Sequence, residues 1–219
     1  MKKFLAIFFS LFLFPISLIT GCGGENDSKN AESMKYKRII VVGIDDEFAP
    51  MGFKDESGEI VGFDVDLAKE AASRMNIAIE FKPIIWNNKR EEIISGKVDM
   101  IWNGLDITDE REEYMIFTRS YMDDRQILLV RKDSDLEIYS EGDLEGKIVG
   151  TQAGSTSDCY LFQHEGLKNS LKDYKTYDTF TGVVEALKKG EIDVLICDEL
   201  VARYEMNQSP DELELINIK

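Results

Sequence analysis

The sequence predicts an α/β fold made of two similar lobes, each a sheet flanked by helices, and three observations carry that prediction. Short β-branched runs end near glycine, as in Arg38-Ile39-Ile40-Val41-Val42-Gly43-Ile44 and Lys147-Ile148-Val149-Gly150, which is the pattern of buried strands. Apolar residues at helical spacing follow such a run, with Val65, Ala68, Ala71, Ala72 and Met75 on one face of an amphipathic helix. The third observation is an internal likeness: Ile93-Ile94-Ser95-Gly96-Lys97-Val98-Asp99-Met100-Ile101 has the plan of Leu187-Lys188-Lys189-Gly190-Glu191-Ile192-Asp193-Val194-Leu195. Each reads as helix end, glycine cap, acidic strand entry and apolar strand, so one layered α/β plan is used twice.

Taken in order, the chain opens with Lys2 and Lys3, an uncharged apolar stretch over residues 4–19 and the run Thr20-Gly21-Cys22. That is the plan of a secretory signal peptide over residues 1–21. Pro15 interrupts the stretch and polar, glycine-rich sequence follows at once, which leaves it short for a membrane span. Ile19-Thr20-Gly21-Cys22 resembles the bacterial lipobox, which implies that Cys22 becomes the new N-terminus and carries acyl chains such as palmitate. Two or more chains hold a soluble domain at a bilayer, so the expected location is lipid-anchored on the extracytoplasmic face of the cell membrane, or the periplasm. Residues 22–37, with Gly23-Gly24 and Asn26-Asp27-Ser28, lack the apolar content to bury a core and read as a flexible tether.

The first lobe is expected over residues 38–124. It starts with the strand at 38–44 and a loop at 45–51, then a helix over 65–75 with Asp64 in front of it as N-cap. A strand at 77–81, a helix at 88–95 closed by Gly96, and a strand at 98–102 complete the plan. The apolar run Arg125-Gln126-Ile127-Leu128-Leu129-Val130-Arg131 reads as a long strand crossing between lobes, a candidate hinge. Residues 132–219 form the second lobe, with a strand at 147–150, a loop at 151–155, a helix after it, a strand at 194–197 and a helix at 199–206.

Charge narrows the partners. Removing residues 1–21 takes two of the 26 basic residues and none of the 42 acidic ones, leaving a net charge of −18. Such a surface repels polyanions, so nucleic acid is not an expected partner, and the acidity reads as a solvated exterior. Cys159 and Cys197 remain after Cys22, at a spacing that matches no metal pattern. Two free core thiols or a pair in an oxidising compartment both fit. No metal and no cofactor is expected. His164 is the one histidine, and it shares a helical stretch with Ser155 and Cys159, an arrangement without a mutually supporting acid, base and nucleophile.

Four motifs in one order make the reading specific: Gly62-Phe63-Asp64-Val65-Asp66-Leu67, Thr108-Asp109-Glu110-Arg111, Asp143-Leu144-Glu145-Gly146-Lys147-Ile148-Val149-Gly150 and Gly154-Ser155-Thr156. In order and spacing they resemble the polar amino-acid-binding proteins of ABC transporters, over roughly residues 38–206. The resemblance implies a two-lobed, type II periplasmic-binding-protein-like fold whose cleft closes on a free amino acid for delivery to permease subunits. Arg111 matches the family's carboxylate-binding position, and a guanidinium fork bonds both carboxylate oxygens. Backbone amides near Ser155 and Thr156, after Gly154, are implied to complete that end. Asp198, at the carboxyl end of the strand Val194-Leu195-Ile196-Cys197, matches the ammonium-binding aspartate; it also suits the N-cap of the next helix. Gly104 and Asp106 match the segment that offers a carbonyl and a hydroxyl to the ammonium, with aspartate a departure. Phe48 and Trp86 match the aromatic pair around the ligand's aliphatic part, and Gln152 a position that touches its side chain. Phe53 and Trp102 read as core.

A polar or cationic L-amino acid is therefore the expected ligand, and transport delivery the expected function. An amino-acid-sensing module on the same cleft, or a dehydratase-like enzyme on the same fold, are the alternatives. The chain stops at Asn217-Ile218-Lys219, where the resemblance implies a second crossing strand and returning helices. An incomplete C-terminus is expected on that ground, with one face of the first lobe's sheet uncovered.

Overall fold

The computed structural model describes residues 39–216. The expected signal peptide, the expected tether and Cys22, the expected lipid attachment site, lie outside the described residues, as do the last three.

Three strands form the first sheet, in the order β5–β1–β6 and all parallel: β1 (Ile39–Ile44), β5 (Ala78–Pro83) and β6 (Met100–Ile101). Val42 and Ile44 of β1 are buried, as expected where helices cover a parallel sheet. A small antiparallel sheet of β2 (Glu47–Phe48), β3 (Gly52–Lys54) and β4 (Ile60–Val61) follows β1 and leads into α1 (Phe63–Met75). The helix buries Val65, Ala68 and Ala72, but Met75 is exposed. Gly62, not Asp64, occupies the N-cap position. It has φ of 136°, and a Cβ there would stand 2.4 Å from the Met51 carbonyl, so only glycine fits this close passage. Asp64 lies inside the first turn and is fully buried. α2 (Lys89–Ile94) and α3 (Asp109–Glu112) complete this lobe.

The second sheet has five strands, β11–β7–β10–β8–β9, comprising β7 (Gln126–Arg131), β8 (Ile148–Gln152), β9 (Asp173–Tyr177), β10 (Val194–Asp198) and β11 (Leu213–Ile216). β10, β8 and β9 run parallel, whereas β7 is antiparallel to both β10 and β11. Ile127 and Leu129 of β7 enter one core cluster, Leu128 and Val130 the other, because alternate strand residues face opposite sides. The run expected to cross between lobes is thus an internal strand of the second sheet, apolar on both faces because both are covered. The passage between lobes falls to the residues just before it. β11 was not expected as a strand; it pairs along β7 from Leu213↔Arg131 to Ile216↔Leu128.

α4 (Thr156–Gln163), α5 (Glu165–Ser170), α6 (Phe180–Lys188) and α7 (Glu199–Gln208) surround this sheet. α6 packs Phe180, Val183, Val184 and Leu187 against Leu129, Leu195 and Leu213. The sequence repeat has a structural counterpart: Gly96 and Gly190 follow their helices with φ of 71° and 74°, the left-handed turn that ends a helix at glycine. Val98 and Ile192, two residues on, are both buried. On its other side β6 faces a groove of about 640 Å³, bounded by residues 114–122 and the start of α7.

Candidate functional site

Arg111 is the most constrained cation of the cleft. It is only 3 % exposed, because Thr108 caps the short α3, its hydroxyl accepting from the Arg111 amide, and turns the side chain inward. The guanidinium donates to the Asp106 carbonyl at 2.9 Å, and at 3.4 Å to the Thr156 hydroxyl and the Gly154 carbonyl. Among the described residues no carboxylate forms an ion pair with it. A buried cation with neutral acceptors alone is electrostatically undercompensated, since several kcal/mol of solvation are lost on burial.

At the opposite end of the charge balance stands Asp198. Although it occupies the N-cap position of α7, its side chain makes no capping bond; the carboxylate instead accepts from the Gln126 amide. Gln126 also takes a hydrogen bond from the Ser157 hydroxyl through its carbonyl oxygen, so its amide orientation is set from both sides. Burial, followed by repulsion from Asp106 and Asp124, pushes the Asp198 carboxyl up to about 8. Burial raises Asp124 as well. Three carboxyls thus share one region that has too little positive charge.

Phe48, Trp86, Gly104, Arg111, Gln152, Ser155, Thr156 and Asp198 line one recess, together with Gln126, Thr151 and Phe180. Eight of the nine cleft residues expected from sequence therefore converge. Asp106 lines the neighbouring groove instead, but its carboxylate accepts the Thr156 hydroxyl at 2.5 Å. Ser155 has a different task from the one expected: its hydroxyl caps α4 by accepting from the Asp158 amide, and its own amide is bound to the Gln152 carbonyl. Phe48 meets Phe180 edge-on at 5.6 Å, and the Trp86 face carries the Lys89 ammonium at 5.2 Å. Phe53 is half-buried against Tyr204.

Residues from both lobes close this recess. Gln152 donates to the Asp45 carboxylate at 2.6 Å, and Lys89 donates to the Gly154 carbonyl at 2.6 Å. Only about 20 Å³ of the recess is open, on the order of a single water. Burial raises Asp45; burial and then Arg111 lower Lys89 to about 8. Both thiols are free: Cys197 lies in the core and Cys159 is half-buried, its Sγ 3.6 Å from a Glu110 carboxylate oxygen.

Residues 40–173 match the bacterial extracellular solute-binding proteins, family 3. The chain belongs to that family. It is 30% identical to the arginine-binding extracellular protein ArtP of Bacillus subtilis, over 88% of this chain and 72% of that protein. It is 26% identical to the L-cystine-binding protein TcyJ of Escherichia coli K12, over 90% and 74% of the two chains. Among solved structures, a histidine-bound substrate-binding protein of an ABC uptake transporter from Streptococcus pneumoniae superimposes with a TM-score of 0.77. The identity is 34%, over 89% of this chain and 79% of the other. Family 3 membership accounts for the two-lobed plan and for a cleft between the lobes.

Sequence reasoning missed Asp45, Lys89, Gln126, Thr151 and Phe180. Asp45 and Thr151 had a usable signal, since each stands at the carboxyl end of a parallel strand, where α/β sheets bind ligands. Gln126, Lys89 and Phe180 had none: packing of the lobes puts Gln126 and Phe180 in the recess and Lys89 on the Gly154 carbonyl.

Proposed function

We propose that this family 3 protein is an extracytoplasmic receptor for a free L-amino acid with a polar or cationic side chain, delivered to the permease of an ABC uptake system and held at the membrane by lipid on Cys22. The observation that carries the reading is the Arg111–Asp198 pairing of opposite deficits on one recess. Among the described residues, Arg111 is a buried fork without a carboxylate partner, and Asp198 is a carboxyl crowded by two others and without an ammonium partner. A zwitterion supplies both missing charges, its carboxylate to Arg111, its ammonium to Asp198 with Asp106 beside it. Each charge gained compensates a desolvation cost the free protein already carries.

Phe48, Phe180 and Trp86 offer aromatic walls to the aliphatic part of the ligand, and such faces attract a cationic one further. Asp45 and Gln152, bonded to each other, face a side chain arriving between the lobes with an acceptor and an amide. The small open volume means that binding requires the Asp45–Gln152 and Lys89–Gly154 contacts to part and the lobes to close again on the ligand. A binding role without turnover is supported by the binding proteins among the relatives and by a site made of charge partners rather than a nucleophile and base.

The test is calorimetry of the purified chain with L-arginine, L-lysine, L-histidine, L-glutamine and L-cystine, each beside its carboxamide and its N-acetyl form. Binding of at least one free amino acid with loss on blocking either end is the expected result. Equal affinity for free and blocked forms contradicts the zwitterion site, and chemical conversion of a bound ligand contradicts the receptor.

A further inference from the structure

Asp64 belongs to neither charge centre, yet it is fully buried with a carboxylate that reaches two distant segments. One oxygen accepts the Gly104 amide at 2.6 Å, across 40 residues of sequence; the other accepts the Tyr121 hydroxyl at 2.8 Å, across 57. Gly104 lines the recess in a left-handed conformation with φ of 58°, and a Cβ there would come within 3.2 Å of the Phe48 ring. Tyr121 stands on the segment that leads from the first lobe into β7. The backbone of Asp64 adds a third tie, its amide donating to the Met51 carbonyl at 3.0 Å, and so holds the turn after Phe48, where the Met51 amide in turn bonds the Phe48 carbonyl. A carboxylate buried at a helix start costs solvation, and burial raises Asp64 and, foremost among several causes, Tyr121 above their ordinary values. The helix itself does not need it, since Gly62 takes the cap position.

We infer that Asp64 is a positioning residue of the ligand cleft: by holding the Gly104 amide and the Tyr121 hydroxyl on one rigid helix end, it fixes the Gly104–Phe48 wall and ties that wall to the interlobe connector. The inference deepens the amino-acid-receptor reading and rests on it for its ligand readout. Asparagine preserves the arrangement, accepting from Gly104 through its oxygen and donating to the Tyr121 oxygen through its amide, whereas alanine removes both bonds.

The experiment follows Asp64→Asn, Asp64→Ala and Tyr121→Phe in the full chain by amide hydrogen exchange at Gly104 without ligand, and by L-arginine and L-histidine titration. The expected order is protection of Gly104 in the parent and in Asp64→Asn, and loss in Asp64→Ala. Affinity should follow the same order, within about threefold for asparagine and down at least tenfold for alanine. Tyr121→Phe, which deletes one hydroxyl at a half-exposed site, should keep the Gly104 protection and speed ligand dissociation about three- to tenfold. Undiminished protection in Asp64→Ala, or asparagine as damaging as alanine, overturns the inference. Should alanine fail to fold, an unchanged dissociation rate in Tyr121→Phe overturns it. If no variant, parent included, binds any amino acid while the exchange order holds, the receptor reading falls and the positioning contact stands.

Discussion

Asp99 and Asp193 hold equivalent places in the two lobes, each closing a reciprocal pair with the neighbouring strand. The Asp99 carboxylate accepts the Val41 amide at 2.9 Å while its own amide donates to the Val41 carbonyl at 2.8 Å. Asp193 does the same with Ile148, at 2.8 Å in both directions. The aspartate that follows each glycine-capped helix end therefore sets how the next strand enters its sheet.

Asp193→Ala should thus lower stability by about 1–2 kcal/mol, because the Ile148 amide loses its side-chain acceptor at a half-buried site. Urea unfolding measures this, and Asp193→Asn, which keeps an acceptor oxygen, should recover most of the loss. A midpoint unchanged in the alanine variant would show that water replaces the contact at no cost.

The Asp198 carboxyl links stability to pH. Its folded value, about 8, lies above the ordinary carboxylate value near 4, so the folded state holds the proton more tightly than the unfolded chain. Its contribution is most favourable below the unfolded value and is lost as pH rises toward 8. Burial raises Asp45, Asp64, Asp124 and Glu205 in the same direction. The ligand-free protein should become easier to unfold in urea from pH 5 to pH 7, and Asp198→Asn should flatten that slope. Parallel slopes for parent and variant would remove Asp198 as a source of the dependence.

Arg111→Ala should weaken amino-acid binding by about 2 kcal/mol or more, because the ligand carboxylate would enter a dry site without its partner. Arg111→Lys should recover only part of the loss, since an ammonium cannot present the planar fork. The measurement is calorimetry on both variants, and a loss below tenfold in alanine would place the carboxylate elsewhere.

Asp45 should discriminate between ligand side chains. With the carboxylate available, a cationic side chain gains a charge partner in place of the Gln152 amide; Asp45→Asn removes the charge and keeps the shape. Affinity for L-arginine should then fall about tenfold or more, while L-glutamine changes by less than threefold, charged hydrogen bonds being roughly twice as strong as neutral ones. An equal change for both ligands would show that Asp45 does not read charge.

What the sequence by itself determined is local and periodic. The strand at β1, a helix over 65–75 that the structure starts two residues earlier, the left-handed glycines at 96 and 190, and the twofold α/β plan all follow from residue spacing, because propensity and burial act on neighbours in the chain. Arg111, Thr156, Gln152 and Asp198, singled out by the family resemblance, come together at one recess. The tertiary structure alone decided the use of several side chains. Asp64 leaves the cap to Gly62 and bonds Gly104 and Tyr121; Asp198 leaves its cap and bonds Gln126; residues 126–131 are enclosed between β10 and β11 instead of crossing. The partners that Asp64 and Asp198 take instead lie 40 to 72 residues away in sequence. A buried carboxylate takes the strongest donors that packing brings to it, and no local pattern names those donors before the lobes have folded.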